Sequence, residues 1–448
     1  MRLPQAPPSY LDLLDEMGPR HSVDLMIRRD TGPLDRRGRY LHWDEMRNRT
    51  PPDGLDHREW WMATKYARTA IARPLPLRAT SGEVFTFSNV DPVHEAVHAI
   101  DQKAGGHILS SDRLPAERTR YLVSSLTEEA ITSSQLEGAT TTRKDAKRLL
   151  APGRQPRDKS ELMIVNNYRA MTRAKELMGR ELTPRDVLDL HRIVTEGTLD
   201  DEDDAGRLQR PEDERIGVFS EADGTQVHVP PRAEELPDRL EDLCRFAAGA
   251  TGVGFLHPVV RAILLHFALA YDHPFSDGNG RTARALFYWS LLRDGYWLAE
   301  YASISSILKQ APAKYGRSFL YTESDAHDVT YFVLYQLDVL QRSIDDLSAY
   351  SARRAEELQS IEAIVRGRDV LNHRQRDLVS QSLSDAAVQF TIAEHQGLHG
   401  VTYQTARTDL LGLTDLGLFE KRKDDRKFVF VAHHDLEARL RALGSGTT

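Results

Sequence analysis

The sequence predicts a mainly α-helical protein with one small β-hairpin in its body and a winged helix-turn-helix at its C-terminal end. Three observations carry this. Apolar residues recur at spacings of three and four from Asp91 to about Gly367, the period of helices with one buried face. Two β-rich runs between Ile216 and Val229 flank Asp223-Gly224, a dipeptide suited to a hairpin turn. Beyond Gly367, RQRDLVSQSLS, FTIAEHQGLHG and TYQTARTDLLGLTDLGL read as three short helices, and GLFEKRKDDRKFVFVA as strand, turn and strand. That is the layout of a winged helix.

Along the chain, residues 1–85 are rich in Pro, Arg and Trp and show no sustained period. Only WWMATKYARTAIA suggests a short helix there, so this stretch is expected to be an N-terminal extension. HEAVHAID, ERTRYLVSSLTEEAITSSQL and DAKRLL make 86–160 a helical region. The next region, 161–367, opens with SELMIVNNYRAMTRAKELM and TPRDVLDLHRIVTEG, the second starting Thr-Pro as a helix N-terminus should. Leu199 to Glu214 holds the acidic run Asp200 to Asp204 and reads as a solvated loop. Helices resume at Glu234 and include the apolar VVRAILLHFALAYD and ARALFYWSLLRDGYW. Residues 368–448 form the winged-helix unit.

At 448 residues the chain has room for about three domains, and its 40% hydrophobic content excludes global disorder. Lys plus Arg is 59 against 67 Asp plus Glu, a formal charge of −8. This argues against a basic coat for nucleic acid and leaves room for a local patch. The single Cys244 excludes an internal disulfide framework and a Cys-rich zinc module. The N-terminus has no basic start followed by an apolar core, and the longest apolar stretch, Ala262 to Tyr271, is too short to span a bilayer. A soluble, cytoplasmic protein without membrane partners is expected.

Two stretches carry chemical signals. His94-Glu95-Ala96-Val97-His98 is a literal H-E-x-x-H, which would put two zinc ligands and a water-activating Glu on one helix face. It lacks the extended third-ligand pattern, since Asp101 and Ala104 stand where Gly and His belong, and Glu117, Glu128 and Glu129 form no further pattern. An amphipathic helix with solvent-facing histidines accounts for it. The second signal is His273-Pro274-Phe275-Ser276-Asp277-Gly278-Asn279-Gly280-Arg281-Thr282-Ala283-Arg284, between two apolar helices. Gly278 and Gly280 would let backbone N–H groups approach an anion. The helix that follows offers its N-terminus to the same anion. Arg281 and Arg284, three apart, would project from one face toward phosphate. Asp277 is a hard oxygen ligand suited to Mg²⁺, and His273 could take a proton from a hydroxyl. A chance match at eight specified positions is on the order of 10⁻⁷ per chain. Nucleotide phosphoryl chemistry is the expectation.

His273 to Arg284 resembles the signature of the Fic (filamentation induced by cAMP) family, H-x-F-x-[DE]-G-N-G-R-x-x-R, at every position. The resemblance implies a Fic-fold helical bundle at 161–367 that transfers AMP from ATP to a Ser, Thr or Tyr hydroxyl of a protein or of itself. His273 would be the general base and Asp277 the Mg²⁺ ligand. Phe275, Gly278, Asn279, Gly280 and Arg281 would line the nucleotide site, and Arg284 would bind the γ-phosphate. Ser133-Ser134-Gln135-Leu136-Glu137-Gly138 is similar to the family's inhibitory helix, [ST]-x-x-x-E-[GN], placed here at about 125–138. Ser133, Glu137 and Gly138 would be inhibitory, with Glu137 on Arg284, and Ser134 would border the nucleotide. The hairpin resembles the flap that docks a target segment, through Ile216, Val218, Val227 and Val229. Tyr315 stands where the family often places an aromatic against adenine, although Ala311-Pro312 replaces the Asn-Arg pair that commonly precedes it.

The C-terminal unit offers Gln404, Thr405, Arg407 and Thr408 on a candidate recognition helix and Lys421, Arg422 and Lys423 on a candidate wing. DNA is a possible partner there. Bases and acids balance over 372–448, so a protein-docking winged helix stands beside it. Two alternatives to AMP transfer are carried forward: a DNA-binding regulator with a nucleotide-sensing core, and AMP removal with Glu137 positioning a water. Fic proteins often dimerise, but no residue here selects an oligomeric state.

Overall fold

The computed structural model describes residues 3–28, 30–104, 127–150, 154–215, 217–219, 224, 226–249, 254–296, 302–366, 370–384, 388–424 and 427–442. The chain divides into two compact units, Met1–Asp345 and Asp346–Thr448.

In the first unit, residues 1–85 hold more structure than their composition suggests. Helices α1 (Tyr10–Met17), α2 (Pro19–Met26), α3 (Trp43–Met46) and α4 (His57–Ile71) enclose a small core of Leu13, Leu25, Trp43, Trp60 and Trp61. Asp56 starts α4 by accepting from the backbone N–H groups of Arg58 and Glu59, while Glu59 reaches back to Asp56. An antiparallel hairpin follows, β1 (Ala72–Arg78) and β2 (Val84–Ser88). Its first strand reads A-R-P-L-P-L-R, and the prolines hide a period of two that buries Leu75 and Leu77. Both leucines join the main core, so the extension is part of the first unit.

A buried polar network ties the extension down. Arg68, 2% exposed, donates to the carbonyls of Pro33 and Leu41 and, at 2.7 Å, to the Tyr331 hydroxyl. Its guanidinium also lies 3.6 Å from the Tyr40 ring centre. Nearby, Lys65 pairs with Asp325 at 2.5 Å, and the Tyr40 hydroxyl donates to Asp328. Removing one member of such a network leaves its partners buried and unsatisfied. Arg68→Met is therefore expected to cost about 3 kcal/mol, read as a lower denaturation midpoint with an unchanged slope.

The body comprises α5 (Asp91–Ala104), α6 (127–136), α7 (Arg143–Leu149), α8 (Lys159–Glu176), α9 (Pro184–Thr195), α10 (Leu236–Ala247), α11 (Pro258–Asp272), α12 (Asn279–Arg293), α13 (Ile304–Gln310), α14 (Pro312–Ser324) and the start of α15 (Thr330–Arg366), whose residues from Asp346 on belong to the second unit. Thr183 and Pro184 do start α9, with Asp186 completing a capping box. Helix α11 is apolar all round and buried at Val259, Ile263, Leu264, Phe267 and Leu269. Only a helix surrounded by others can bury every face. It packs against α12, which α8 and α9 flank. The loop joining α11 to α12 is held at the end of this pair. The acidic run forms a short turn at Glu202–Asp204 that Asp201 caps.

The expected hairpin is shorter than its sequence pattern: β3 covers Val218–Phe219 and β4 Gln226–His228, paired antiparallel. Gly224 takes the left-handed φ of 67° its turn needs. Ile216 lies outside the described residues. Val218 and Val227 are half-buried, Val229 falls just past β4 and is exposed, and the side chain that β4 turns inward is His228.

The second unit contains α16 (His373–Ser384), β5 (Gln389–Phe390), α17 (Ile392–His399), α18 (Tyr403–Asp415), β6 (Phe419–Asp424), β7 (Lys427–Ala432) and α19 (Leu436–Ala442). Its sheet has the order β5-β7-β6, over a core that includes Leu378, Leu410, Leu413, Phe430 and Leu440. Asp409 of α18 is buried and accepts from Arg374 (2.6 Å), Asn372 (2.8 Å) and His395 (3.1 Å). Burial alone would raise its pKa, but these bonds outweigh it and hold the carboxyl at about 2. Beyond the expected strand-turn-strand a further short helix, α19, closes the unit. No helix among the described residues is long and apolar enough to cross a membrane.

Candidate active site

His273 ends α11 in a left-handed conformation, φ 45° and ψ 54°, which costs a non-glycine residue about 1 kcal/mol. This turns the chain out of the helix. Its Nδ1 faces the Ala270 carbonyl at 3.4 Å. A carbonyl can only accept, so Nδ1 carries the proton and Nε2 the lone pair. Burial is the main reason its pKa falls to about 4. The Ala270 carbonyl and Glu137 pull it upward, and His228 and Arg215 push it down. The imidazole is neutral at pH 7 and able to accept a proton.

The loop is a closed piece of hydrogen bonding. Asn279 bridges it, donating to the Phe275 carbonyl at 2.8 Å and accepting from the Phe275 N–H at 3.0 Å. Phe275 is fully buried and stacks on His191, with ring centres 3.7 Å apart. His191 accepts from the Gly206 N–H on Nδ1 and donates from Nε2 to the Asp277 carbonyl at 2.9 Å. Gly278 has φ 79°, and a Cβ there would stand 2.7 Å from the Thr195 methyl. Glycine at 278 is thus required twice, by conformation and by space.

The two arginines do different work. Arg281 is fully buried; its Nη1 donates to the Val194 carbonyl at 3.1 Å, and Nη2 lies 3.3 Å from Asp277 Oδ2. Arg284 faces the end of α6, donating to Ser133 Oγ (2.8 Å), the Ser133 carbonyl (3.2 Å) and Glu137 Oε1 (2.8 Å). Burial opposes the charge on Arg284, yet Glu137, then Tyr315 and Glu129, outweigh it and leave its pKa raised. The same Glu137 oxygen occupies the space over Gly280 that a Cβ would fill. A carboxylate therefore lies at the N-terminus of α12, where the helix favours an anion.

Helix α6 is anchored to bring Glu137 there. Buried Glu129 accepts from Ser303 Oγ (2.8 Å), Ser305 N–H (3.1 Å) and Ser305 Oγ (2.5 Å). Ser134 is fully buried and donates to the Ala130 and Met163 carbonyls, so its hydroxyl faces the α6–α8 contact. Gly138 ends the turn with φ 94°. Tyr315 hydrogen-bonds His266 at 2.9 Å and packs edge-on against Phe319, an inward-facing ring.

The residues present fit a nucleotide with its metal. Gly280 and the α12 N-terminus already hold one anion. Arg281 Nε and Ser276 Oγ are buried without a hydrogen-bond partner in the same loop. Asp277, 50% exposed above a buried Arg281, offers a hard oxygen at the rim.

The H-E-x-x-H stretch is elsewhere, on the outer face of α5, with His94, Glu95 and His98 all exposed. Glu128 pairs with Arg143 and Glu129 with the two serines, while Glu117 lies outside the described residues. Sequence reasoning missed His191, Gln209, Arg215 and His228, which bond the loop or the end of α11 that leads into it. Only His191 left a trace, as a polar residue on the apolar stripe of Val187, Leu190 and Val194.

Comparison with known proteins bears on this site. The chain is 27% identical over 239 residues to "Protein adenylyltransferase Fic" of Nematostella vectensis, covering 52% of each chain. It is 30% identical over 201 residues to the protein of the same name in Drosophila willistoni, covering 44% of this chain and 36% of that one. The chain thus spans about half the length, or less, of these relatives. A Fic family protein from Desulfovibrio desulfuricans G20, known from its crystal structure, shares the fold with a TM-score of 0.51 at 17% identity, over 78% of this chain and 98% of that one. Residues 181–291, from α9 through the loop to α12, match the Fic/DOC family.

Proposed function

We propose that this chain is a protein adenylyltransferase that is held inactive by its own Glu137. The observation that carries the proposal is the Glu137 carboxylate on Arg284 and over Gly280. It stands where a phosphate would be bound, in a site that also holds a neutral histidine. His273 Nε2 takes the proton of a Ser, Thr or Tyr hydroxyl. The hydroxyl oxygen attacks the α-phosphorus of ATP, the new O–P bond forms, and the bond from the α-phosphorus to the bridging oxygen breaks, releasing pyrophosphate. Arg281 and the α12 N-terminus stabilise the charge on the phosphates. Asp277 would hold Mg²⁺, which offsets the charge of the departing pyrophosphate. While Glu137 remains, it takes the Arg284 Nη2 donor and the space over Gly280 that the γ-phosphate would use, and the carboxylate repels it.

The target enters beside the β3–β4 hairpin, whose short strands leave an edge to which an extended segment can add. The chain's own hydroxyls are the first candidates, and a separate protein substrate the second. Incubating Glu137→Gly with labelled ATP and magnesium tests the reading. Label on the chain or on a lysate protein is expected, and its absence from both would overturn the proposal.

For the second unit we propose a winged helix that docks duplex DNA. Gln404, Arg407 and Thr408 are exposed along α18, Thr405 is half-buried, and Lys421, Arg422 and Lys423 are exposed on edge strand β6. Arg422 is already paired with Glu420, and Lys421 covers Phe428, which leaves few bases for phosphate. Binding should be weak with a shallow salt dependence, and Lys423→Ala should flatten the slope of log K against log salt by about 1. A salt-independent affinity would reject this reading.

A further inference from the structure

The carbonyl groups that lead into and out of His273 are taken in sequence by donors from one distant segment. Tyr271 O accepts from His228 Nε2 at 2.7 Å. Asp272 O accepts from Arg215 Nη2 at 2.9 Å, and His273 O from Arg215 Nη1 at 3.2 Å. Pro274 O accepts from the Gln209 N–H at 2.9 Å. Gln209, Arg215 and His228 all belong to the stretch that carries the β3–β4 hairpin.

Arg215 is central to this row. Its Nε donates to the Pro231 carbonyl at 2.8 Å, and Nη1 also meets the side-chain oxygen of Gln209. Every described hydrogen bond of this guanidinium ends on a neutral oxygen. The one side chain therefore joins three separate stretches: residue 209, residue 231 at the far foot of the hairpin, and the pair 272–273. A guanidinium is suited to this, since its donors form a rigid planar fork. It also lies at the C-terminal end of α11, where a cation is favoured. His273 meanwhile holds a left-handed backbone that only its surroundings can enforce.

We infer that Arg215 is a positioning residue for His273, fixing the backbone on both sides of the imidazole and coupling the base's orientation to the target-docking hairpin. Arg215 precedes β3 by three residues, so a strand added to the hairpin orders the same segment that holds the base. The inference rests on the transferase reading for its kinetic consequence, but the coupling itself is a structural statement. The charged and titratable groups that bear on His273 are Arg215 and His228 from the hairpin segment and Glu137 from the end of α6, with Asp272 its neighbour at the end of α11. Of these, removing Arg215 takes away a positive neighbour and raises the His273 pKa.

The test uses the full chain carrying Glu137→Gly, with Arg215→Met and Arg215→Lys added separately. Arg215→Met should lower kcat for AMP transfer about 10- to 100-fold, as expected for a displaced catalytic group, and leave the KM for ATP within about twofold. NMR of ring-labelled histidine, assigned by the signal lost in His273→Ala, should show its pKa rising by about half a unit to one unit. The acid limb of the kcat profile should move with it. Arg215→Lys keeps the charge but lacks the planar fork that serves Pro231, Gln209, Asp272 and His273 at once; it should retain the parent pKa and still lose most of kcat. An unchanged kcat in both variants, or a fall confined to KM for ATP, overturns the inference. If Glu137→Gly shows no transfer at all, the transferase reading fails by itself. The His273 pKa and the backbone amide shifts of 271–275 in Arg215→Met then decide the clamp, and unmoved values would refute it.

Discussion

Glu137→Gly transfers AMP about 10²- to 10³-fold faster than the parent chain, the scale of adding one well-placed donor to a phosphoryl transition state. Two effects combine. Arg284 recovers the donor it now gives to Glu137 at 2.8 Å, and the space over Gly280 at the α12 N-terminus becomes open to a phosphate oxygen. The gain should appear in kcat and in nucleotide affinity together, because the γ-phosphate takes the carboxylate's place in both ground and transition states. ATP should therefore raise the melting temperature of Glu137→Gly more than that of the parent. Glu137→Gln separates charge from occupancy: the amide still fills the space but no longer repels phosphate, and intermediate activity is expected. Equal rates for Glu137→Gly and the parent would show that the ion pair restrains nothing.

His273→Ala in the Glu137→Gly background removes transfer by about 10²- to 10⁴-fold, the range of losing a general base, while ATP still binds. The pH profile identifies the base more specifically. With a folded pKa of about 4, set mainly by burial, His273 is neutral from pH 5 upward. The acid limb of kcat/KM for Glu137→Gly then falls below pH 5. An unburied histidine would place it near 6.5. Glu137 pulls this pKa upward in the parent, so its removal shifts the limb further down. A limb near 6.5 would mean that the base is another group or that the imidazole is exposed during turnover.

Much of the loop could be read from sequence because its chemistry is local. His273, Asp277, Gly278, Asn279, Gly280, Arg281 and Arg284 lie within one turn and the first helical turns after it, where spacing fixes direction. What holds the loop could not be read that way. His191 bonds Asp277 across 86 residues, Arg215 bonds Asp272 across 57, and His228 bonds Tyr271 across 43. No periodicity links such pairs. Strand β1 was hidden for a different reason, since Pro74 and Pro76 read as breakers where they instead occupy an edge. Ser134 shows the limit of reading a stretch by likeness: it adjoins Ser133 in sequence, yet its hydroxyl turns into the α6–α8 contact while Ser133 faces Arg284.

The most direct measurement is the intact mass of purified Glu137→Gly after incubation with ATP and magnesium, beside Glu137→Gly/His273→Ala. An autoinhibited transferase that uses its own hydroxyls as first acceptors predicts added AMP on the first protein and none on the second. Added AMP on both, or on neither when lysate proteins also remain unlabelled, would contradict it.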